Sequence, residues 1–280
     1  MIVSVASGKG GTGKTTIAVN LALSVSGAQL LDCDVEEPNS HLFLRPEFSG
    51  EKEVTVPVPA VDAQRCTGCG KCAQVCQYHA IAVVGGKVLV FPELCHGCGA
   101  CAYVCPEGAL KEEPRGIGVV QNGKAGELDF AQGVLHIGQA MAPPLIKAVK
   151  KMKDERLMTV IDAPPGTSCP MITAVKDSDY VVLVTEPTPF GLNDLTLAVE
   201  VVRTLGIPCG VVVNKADLGD RKVFEYCDRE GIPVLMEIPF SRQIAEAYSE
   251  GRPFVTVLPE WKRRFAGLRK MIEHQRKEPG

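Results

Sequence analysis

Short apolar runs alternate along this chain with longer stretches in which apolar residues recur at helical spacing. The runs have the length and the composition of strands that are buried on both faces of a parallel sheet. They are residues 2–6, 29–33, 157–161, 180–185, 209–213 and 234–238. The helical stretches between them include residues 17–25, 189–205, 219–230 and 241–249. This alternation predicts an α/β fold with a doubly wound, mostly parallel sheet.

A glycine-rich loop, SGKGGTGKTT, joins the first apolar run to the first helical stretch. Strand, loop and helix in this order predict a P-loop, in which backbone N–H groups and the helix dipole bind a nucleotide phosphate. Lys14 is expected between the β- and γ-phosphates, Thr15 on Mg²⁺ and Thr16 near the α-phosphate. The predicted nucleotide-binding residues of the loop are Gly8, Lys9, Gly10, Gly11, Thr12, Gly13, Lys14, Thr15 and Thr16.

Acidic residues follow two other apolar runs. Asp32 and Asp34 come after the second run, and Asp162 opens the segment DAPPG after the third. An aspartate at the carboxyl end of a buried strand is suited to hold a Mg²⁺-bound water, and Gly166 is suited to offer a bare N–H to the γ-phosphate. Capping of a strand end is the alternative role for Asp32 and Asp34.

The loop carries a second lysine, Lys9, and the sequence GKGGTGKTT resembles the deviant Walker A motif of the MinD/ParA group. That group also contains the nitrogenase iron protein, the arsenite-pump ATPase and the Mrp-type iron–sulfur carriers, and DAPPG resembles the switch II segment of the Mrp-type members. The resemblance implies a homodimer that closes on ATP, with Lys9 reaching the phosphates of the partner.

The same resemblance implies roles for the acidic residues. Asp34 lies in the segment that resembles switch I, where an aspartate orients the attacking water, and Asp32 would help to organise Mg²⁺. The expected Mg²⁺ residues are therefore Thr15, Asp32 and Asp162. The expected catalytic residues of a Mg²⁺-dependent ATPase are Lys9, Lys14, Asp34 and Asp162.

The segment Asn214-Lys215-Ala216-Asp217 follows another apolar run and suggests base recognition. It fits the guanine-reading NKxD pattern of GTPases and also the adenine-contacting asparagine of MinD-like ATPases. We expect Asn214, Lys215 and Asp217 at the nucleotide. The deviant Walker A motif favours ATP, with GTP as the alternative.

Eight of the twelve cysteines form two C-x2-C-x2-C-x3-C runs that are offset by 29 residues. In two-cluster ferredoxins the fourth cysteine of each run serves the other [4Fe–4S] cluster. One cluster is therefore assigned Cys66, Cys69, Cys72 and Cys105. The other is assigned Cys95, Cys98, Cys101 and Cys76. Zinc is a weaker alternative because the spacing is too tight, and a disulfide framework is weaker because no leader segment is evident.

The position of these runs predicts two domains. Residues 58–115 are expected to form a 2[4Fe–4S] ferredoxin domain, bracketed by residues 54–59 and 114–118. Residues 1–57 and 116–280 are expected to form a discontinuous P-loop domain. The insertion lies between Asp34 and Asp162, so nucleotide-driven changes at these residues have short covalent paths to the clusters.

Composition and charge limit the classes of partner that the protein is expected to bind. A net charge of −3 gives no nucleic-acid footprint, and no apolar run approaches the roughly 20 residues of a membrane span. Oxygen-sensitive clusters and the lack of a signal peptide predict a cytoplasmic protein. Residues 259–280 combine an apolar stripe with a basic face, which fits either a helix packed on the sheet or, as in MinD, a membrane anchor.

Cys169 is ambiguous, because the nitrogenase iron protein carries a cluster-ligating cysteine at a similar position. A third, dimer-bridging metal site and a structural thiol both remain open for it. Cys33, Cys209 and Cys227 are expected to be small core residues.

Three functions fit the sequence. The first is an ATPase that gates electron transfer through two [4Fe–4S] clusters to a partner protein. The second is a carrier that assembles iron–sulfur clusters or metallocentres. The third is a ParA/MinD-like positioning module whose clusters sense redox state.

Overall fold

The protein is described by a computed structural model that covers residues 1–277. Its strands are β1 (Ile2–Ala6), β2 (Ala28–Asp32), β3 (Glu47–Val61), β4 (Ile81–Val84), β5 (Lys87–Val90), β6 (Leu110–Ala125), β7 (Leu128–Leu135), β8 (Met158–Asp162), β9 (Tyr180–Thr185), β10 (Cys209–Asn214) and β11 (Val234–Ile238). Its helices are α1 (Lys14–Leu23), α2 (Ser40–Leu44), α3 (Lys71–Val75), α4 (Ala100–Tyr103), α5 (Pro143–Lys150), α6 (Cys169–Val175), α7 (Pro189–Thr204), α8 (Lys222–Arg229), α9 (Arg242–Ser249), α10 (Phe254–Val257) and α11 (Pro259–Lys277).

The main sheet has the strand order β11-β10-β9-β1-β8-β2-β7-β6-β3. Parallel pairing joins neighbouring strands from β11 to β7. Val3, Val5, Val160 and Val182 are fully buried, as expected of central strands with both faces covered. The predicted α/β fold with a mostly parallel sheet is therefore confirmed.

Strands β3 and β6 were not predicted. Their sequences contain Pro57, Pro59 and Pro114, which have no backbone N–H to donate within a sheet. The structure places β3 at the end of the strand order, where a missing donor costs little.

Helix α11 packs its apolar stripe into the core. Trp261, Phe265, Leu268 and Ile272 are buried, and the ring of Phe254 meets those of Trp261 and Phe265. The apolar stripe of α11 therefore packs on the rest of the protein, which is one of the two alternatives predicted for residues 259–280. No helix within residues 1–277 is both long enough and apolar enough to span a bilayer.

The chain forms two compact units. The first comprises Met1–Glu51, Val120–Val134 and Ile146–Gly280, and the second comprises Lys52–Val119 and Leu135–Leu145. The second unit contains the whole predicted insertion, residues 58–115, but is wider on both sides. It has an antiparallel β4–β5 hairpin and a small core around Cys72, Ile81 and Leu110.

Candidate functional site

The glycine-rich loop turns from β1 into α1 with the backbone that a P-loop needs. Gly13 caps α1 with φ of 93° and ψ of 16°, a left-handed conformation that favours glycine. A Cβ at this position would lie 2.6 Å from Nδ2 of Asn214. Lys14 begins the helix and is buried, so the chain presents one ammonium group at the base of the loop.

A cleft of about 420 Å³ opens at this loop, within the usual range for small-molecule sites. Residues from the loop, from the segment after β2 and from the segment after β11 line it. They include Gly10, Gly11, Gly13, Lys14, Thr15, Thr16, Asp34, Glu37, Asn39, Asn214, Lys215, Pro239 and Phe240. The structure thus brings together most of the predicted nucleotide-binding residues.

Lys14 lies between two of the predicted catalytic carboxylates. Its Nζ is 3.4 Å from Oδ1 of Asp162 and 3.6 Å from Oδ2 of Asp34. The hydroxyl of Ser40 donates to the other oxygen of Asp162 at 3.3 Å. The parallel pairing of β2 with β8 sets Asp32 directly beside Asp162, which explains how residues 130 positions apart in the chain meet.

The cluster of carboxylates shifts several pKa values. Burial raises the pKa of Asp32 to about 7, and the neighbouring charge of Asp162 adds to this. Burial also raises the pKa of Asp34 to about 6, although Lys14 opposes the shift. Burial alone would lower the pKa of Lys14, but the attraction of Asp162, Asp34 and Asp32 outweighs it and the pKa is raised. Three carboxylates therefore face one ammonium group.

This surplus of negative charge suits a divalent cation. Thr15 lines the cleft, and Asp162 lies at the carboxyl end of β8, so hydroxyl and carboxylate oxygens of the kind that Mg²⁺ prefers are present. Asp32, like Asp162, is fully buried and does not itself line the cleft, and its contact with Mg²⁺ stays a prediction. Its two oxygens accept the backbone N–H groups of Asp34 and Ser40 at 3.1 and 3.0 Å, so Asp32 holds the loop that carries Asp34.

Gly166 lies in the segment after β8, and its contact with the γ-phosphate stays a prediction. Its N–H donates to the carbonyl of Ser7 at 3.0 Å and is therefore not presented to a phosphate in this structure. The φ of Gly166 is 91°, which ties this contact to a backbone conformation that favours glycine.

The predicted base-reading segment is used mainly to brace the loop. Nδ2 of Asn214 donates to the carbonyl of Thr12 at 2.9 Å, while Oδ1 accepts from the backbone of Lys215 at 3.0 Å. Oδ1 of Asp217 accepts from the N–H of Phe240 at 2.6 Å, and Asp217 does not line the cleft. Asn214 and Lys215 line the cleft, and contact with the nucleotide stays a prediction for Asn214, Lys215 and Asp217.

Lys9 is half-buried beside the start of α7. Its Nζ lies 6.0 Å from the centre of the Phe190 ring, at the limit of a cation–π contact. A Cβ on the neighbouring Gly8 would lie 2.1 Å from the carbonyl oxygen of Asp194, so this position of the loop also packs against α7. The contact of Lys9 with a second subunit stays a prediction.

Two further cavities lie in the second unit, and each is lined by four cysteines. The first is lined by Cys66, Cys69, Cys72 and Cys105. The second is lined by Cys76, Cys95, Cys98 and Cys101. Three cysteines of each set come from one run and the fourth from the other run. These are the same two sets that the spacing assigned to two clusters.

Backbone donors surround the thiols. The N–H groups of Ala80 and Ala109 donate to Sγ of Cys76 and Cys105 at 3.3 Å, and the N–H of Gly97 donates to Sγ of Cys95 at 3.4 Å. Such hydrogen bonds stabilise the negative charge that thiolates of iron–sulfur clusters carry.

The turn at Gly68 requires glycine, because its φ is 68° and a Cβ would lie 2.4 Å from the carbonyl oxygen of Gly86. The loop between the first two cysteines is thus packed closely against the β4–β5 hairpin.

Within residues 1–277, no group of three or more His, Cys, Asp or Glu side chains is arranged to hold a metal ion. The assignment of clusters to the two cavities stays a prediction.

Sequence reasoning missed Ser40, which contacts Asp162 from a position without a motif. Pro239 and Phe240 line the nucleotide cleft, as expected of a loop at the carboxyl edge of the sheet. Cys33 and Cys227 are buried, as expected of core thiols, and Cys209 is half-buried. Cys169 is exposed at the start of α6.

The loop, the parallel sheet and the cleft together define a P-loop nucleotide-binding fold. Residues 3–254 match the family described as the CobQ/CobB/MinD/ParA nucleotide binding domain, and the chain belongs to this family. The predicted membership of the MinD/ParA group is therefore confirmed.

Relatives extend over nearly the whole chain. An uncharacterized protein of Methanocaldococcus jannaschii is 30% identical over 261 residues, which are 91% of each chain. An iron-sulfur cluster carrier protein of Aquifex aeolicus is 27% identical and covers 92% of this chain, which matches 63% of that protein. The structure of the septum site-determining protein MinD of Pyrococcus horikoshii, complexed with Mg-ADP, covers 97% of this chain and 95% of its own, with a TM-score of 0.60 and 20% identity. This likeness shows the MinD-like fold.

Proposed function

We propose that this protein is an ATP-dependent redox switch. It binds and hydrolyses ATP with Mg²⁺, holds two [4Fe–4S] clusters in a ferredoxin-type insertion at residues 58–115, and passes electrons to a partner protein under the control of the nucleotide. The family match and the P-loop cleft support the nucleotide half of the proposal. The two four-cysteine cavities are the single observation that carries the other half.

The cavities favour clusters that are retained. Each cavity draws its fourth cysteine from the other run, so the release of one cluster would free thiolates in both runs. Cys72 is buried and packs in the small core of the unit, which ties cluster loss to loss of local structure. Retention is what an electron relay requires.

The nucleotide cleft supplies the groups that slow hydrolysis needs. Lys14 offsets the charge that develops at the γ-phosphate. Asp34, with a pKa of about 6, is mostly ionised at neutral pH and suited to orient a water molecule. Mg²⁺, held near Thr15 and Asp162, would bridge phosphate oxygens when bound. We further propose an ATP-dependent homodimer in which Lys9 contacts the partner's nucleotide.

The gating proposal is tested by redox titration of the reconstituted protein under anaerobic conditions with ATP, with ADP and without nucleotide. We expect the reduction potentials, or the rates of electron transfer to an acceptor protein, to differ between the ATP and ADP states. The Lys14→Met variant should lose this difference while it keeps its clusters. Superimposable titrations and equal rates in both nucleotide states would refute gating.

Cluster delivery is the second candidate, because several relatives bear the name of iron–sulfur cluster carriers. One is the Aquifex aeolicus protein, and another, from Pyrococcus abyssi, is 26% identical and covers 90% of this chain. Incubation with an excess of an apo-ferredoxin separates the two functions. A carrier would lose iron to the acceptor within the time of the assay, whereas a redox switch would keep it.

A further inference from the structure

A second large cleft lies in the nucleotide-binding unit, separate from the nucleotide cleft. It has a volume of about 570 Å³ and lies between α5 and α6, above strands β1, β8 and β2. None of its lining residues lines the nucleotide cleft. Five lysines border it: Lys147, Lys150, Lys151, Lys153 and Lys176. We call it the basic cleft.

The charge of the basic cleft is opposite to that of the whole chain, which has a net charge of −3. Lys147, Lys151 and Lys176 are exposed, and in the described part of the chain none of them has a carboxylate within ion-pair distance. Lys153 pairs with Glu155 at 3.6 Å. Asp177 is the single acidic residue among the lining residues. The cleft therefore concentrates uncompensated positive charge.

Lys150 gives the cleft a fixed shape. This half-buried ammonium group donates to the carbonyls of Thr173, at 3.0 Å, and of Lys176, at the end of α6. Burial lowers its pKa, and the charges of Lys153 and Lys176 add to that effect, while Cys33 and Asp177 oppose it. An anion in the cleft would relieve the repulsion among these lysines.

The cleft also has an apolar side. Ile2 pairs with Thr159 and Leu31 pairs with Ile161 across the sheet, so these four residues form a continuous floor. Ile172 and Ile2 are half-buried, and the alkyl stems of the bordering lysines add apolar surface. A ligand that combines anionic groups with an apolar group would therefore complement the cleft.

We propose that the basic cleft is a docking site for an acidic segment of a partner protein, with an apolar side chain over Ile2 and Ile172 and carboxylates at the lysines. Several lysines spread over two helices match several carboxylates along a chain. A membrane surface fits a concave cleft poorly, and the net negative charge disfavours nucleic acid. The proposal does not depend on nucleotide or cluster binding.

The test uses the full chain and a fluorescein-labelled peptide of glutamate, aspartate and leucine, with binding followed by fluorescence anisotropy at low ionic strength. Reversal of three exposed charges in the variant K147E/K151E/K176E should weaken binding by about tenfold or more. The neutral variant K147Q/K151Q/K176Q should weaken it less. Added salt should weaken binding by the wild-type protein.

A matched control carries the same change of charge elsewhere. The variant K262E/R263E/K270E alters exposed residues of α11 and should bind the peptide within about twofold of the wild-type protein, apart from long-range attraction that salt removes. Absence of peptide binding by the wild-type protein, or equal weakening in both reversal variants, would overturn the proposal. So would displacement of the peptide by equimolar phosphate or citrate, or a charge-reversal effect confined to binding of anionic phosphatidylserine vesicles.

Discussion

Cys105 provides the sharpest test of how the cysteines are shared. It ends the second run in the sequence, yet it lines the cavity of Cys66, whereas Cys95 of its own run lines the other cavity. Two double substitutions separate crossed from uncrossed ligation. One is Cys66→Ala with Cys105→Ala, and the other is Cys95→Ala with Cys105→Ala.

The expected magnitudes follow from the cavities. Two [4Fe–4S] clusters give about eight irons per chain, and loss of a thiolate ligand should remove the cluster that it holds. The Cys66/Cys105 variant removes two thiols from one cavity and should retain about four irons. The Cys95/Cys105 variant removes one thiol from each cavity and should retain almost none. Uncrossed ligation predicts the reverse pair of results.

The assay is anaerobic reconstitution followed by iron and sulfide quantification and circular dichroism to verify folding. Cys169→Ala with Cys227→Ala is the control, since neither residue lines a cysteine cavity, and it should retain about eight irons. Four irons in the Cys95/Cys105 variant and none in the Cys66/Cys105 variant would refute crossed ligation. Full iron content in both variants would refute the cluster assignment itself. More than about eight irons per chain in the wild-type protein would support a third metal site at Cys169.

Three other predictions concern the nucleotide-binding unit. Without Mg²⁺ and nucleotide, the protein should melt at a higher temperature near pH 5.5 than at pH 8. The raised pKa values of Asp32 and Asp34 mean that the folded state binds more protons than the unfolded chain, so stability falls as pH rises from about 4 to about 7. Phe265→Ala should lower the free energy of unfolding by about 3–5 kcal/mol, because the ring is fully buried. Ser40→Ala should lower it by about 1–2 kcal/mol and slow ATP hydrolysis, because Asp162 loses a buried donor.

Each of these three predictions has a matched control and a result that would contradict it. A melting temperature that does not fall between pH 5.5 and pH 8 would contradict the pKa argument, and Asp32→Asn should flatten the pH profile. Met271→Ala, on the exposed side of α11, should change stability little beside Phe265→Ala in chemical denaturation. Exposed Ser49→Ala is the control for Ser40→Ala, and equal hydrolysis rates in these two serine variants would exclude a role for the Asp162 contact.

The central fold could be predicted because its strands are buried on both faces. The runs that became β1 and β8, IVSVA and MTVID, consist mostly of apolar residues, and such short runs between helical stretches favour a parallel sheet. Strands β3 and β6 could not be predicted in this way. The prolines of β3 are tolerated because this strand lies at the end of the strand order, and that order is a property of the whole sheet.

The candidate site divides along the same line. The loop around Lys14 has a local sequence pattern, so its conformation was predictable. The contacts of Ser40 with Asp162 and of Asn214 with Thr12 join residues 122 and 202 positions apart, and no local pattern encodes them. The sequence therefore predicted most of the residues that meet at the nucleotide cleft, but it did not predict which of them form hydrogen bonds with each other.

The shared cysteines also bear on the choice between electron transfer and cluster delivery. A carrier must release a cluster without losing its own fold, which is easiest when few ligands hold the cluster at an exposed site. Here each cluster would be held by three thiolates of one run and one thiolate of the other run. Cys72 and Leu110 pack in the small core beside the first cavity. Under crossed ligation, release of the first cluster frees thiolates in both runs, although the four thiols that line the second cavity stay in place. Iron loss to an apo-ferredoxin should accordingly be absent, and transfer of about four or about eight irons per chain would favour a carrier.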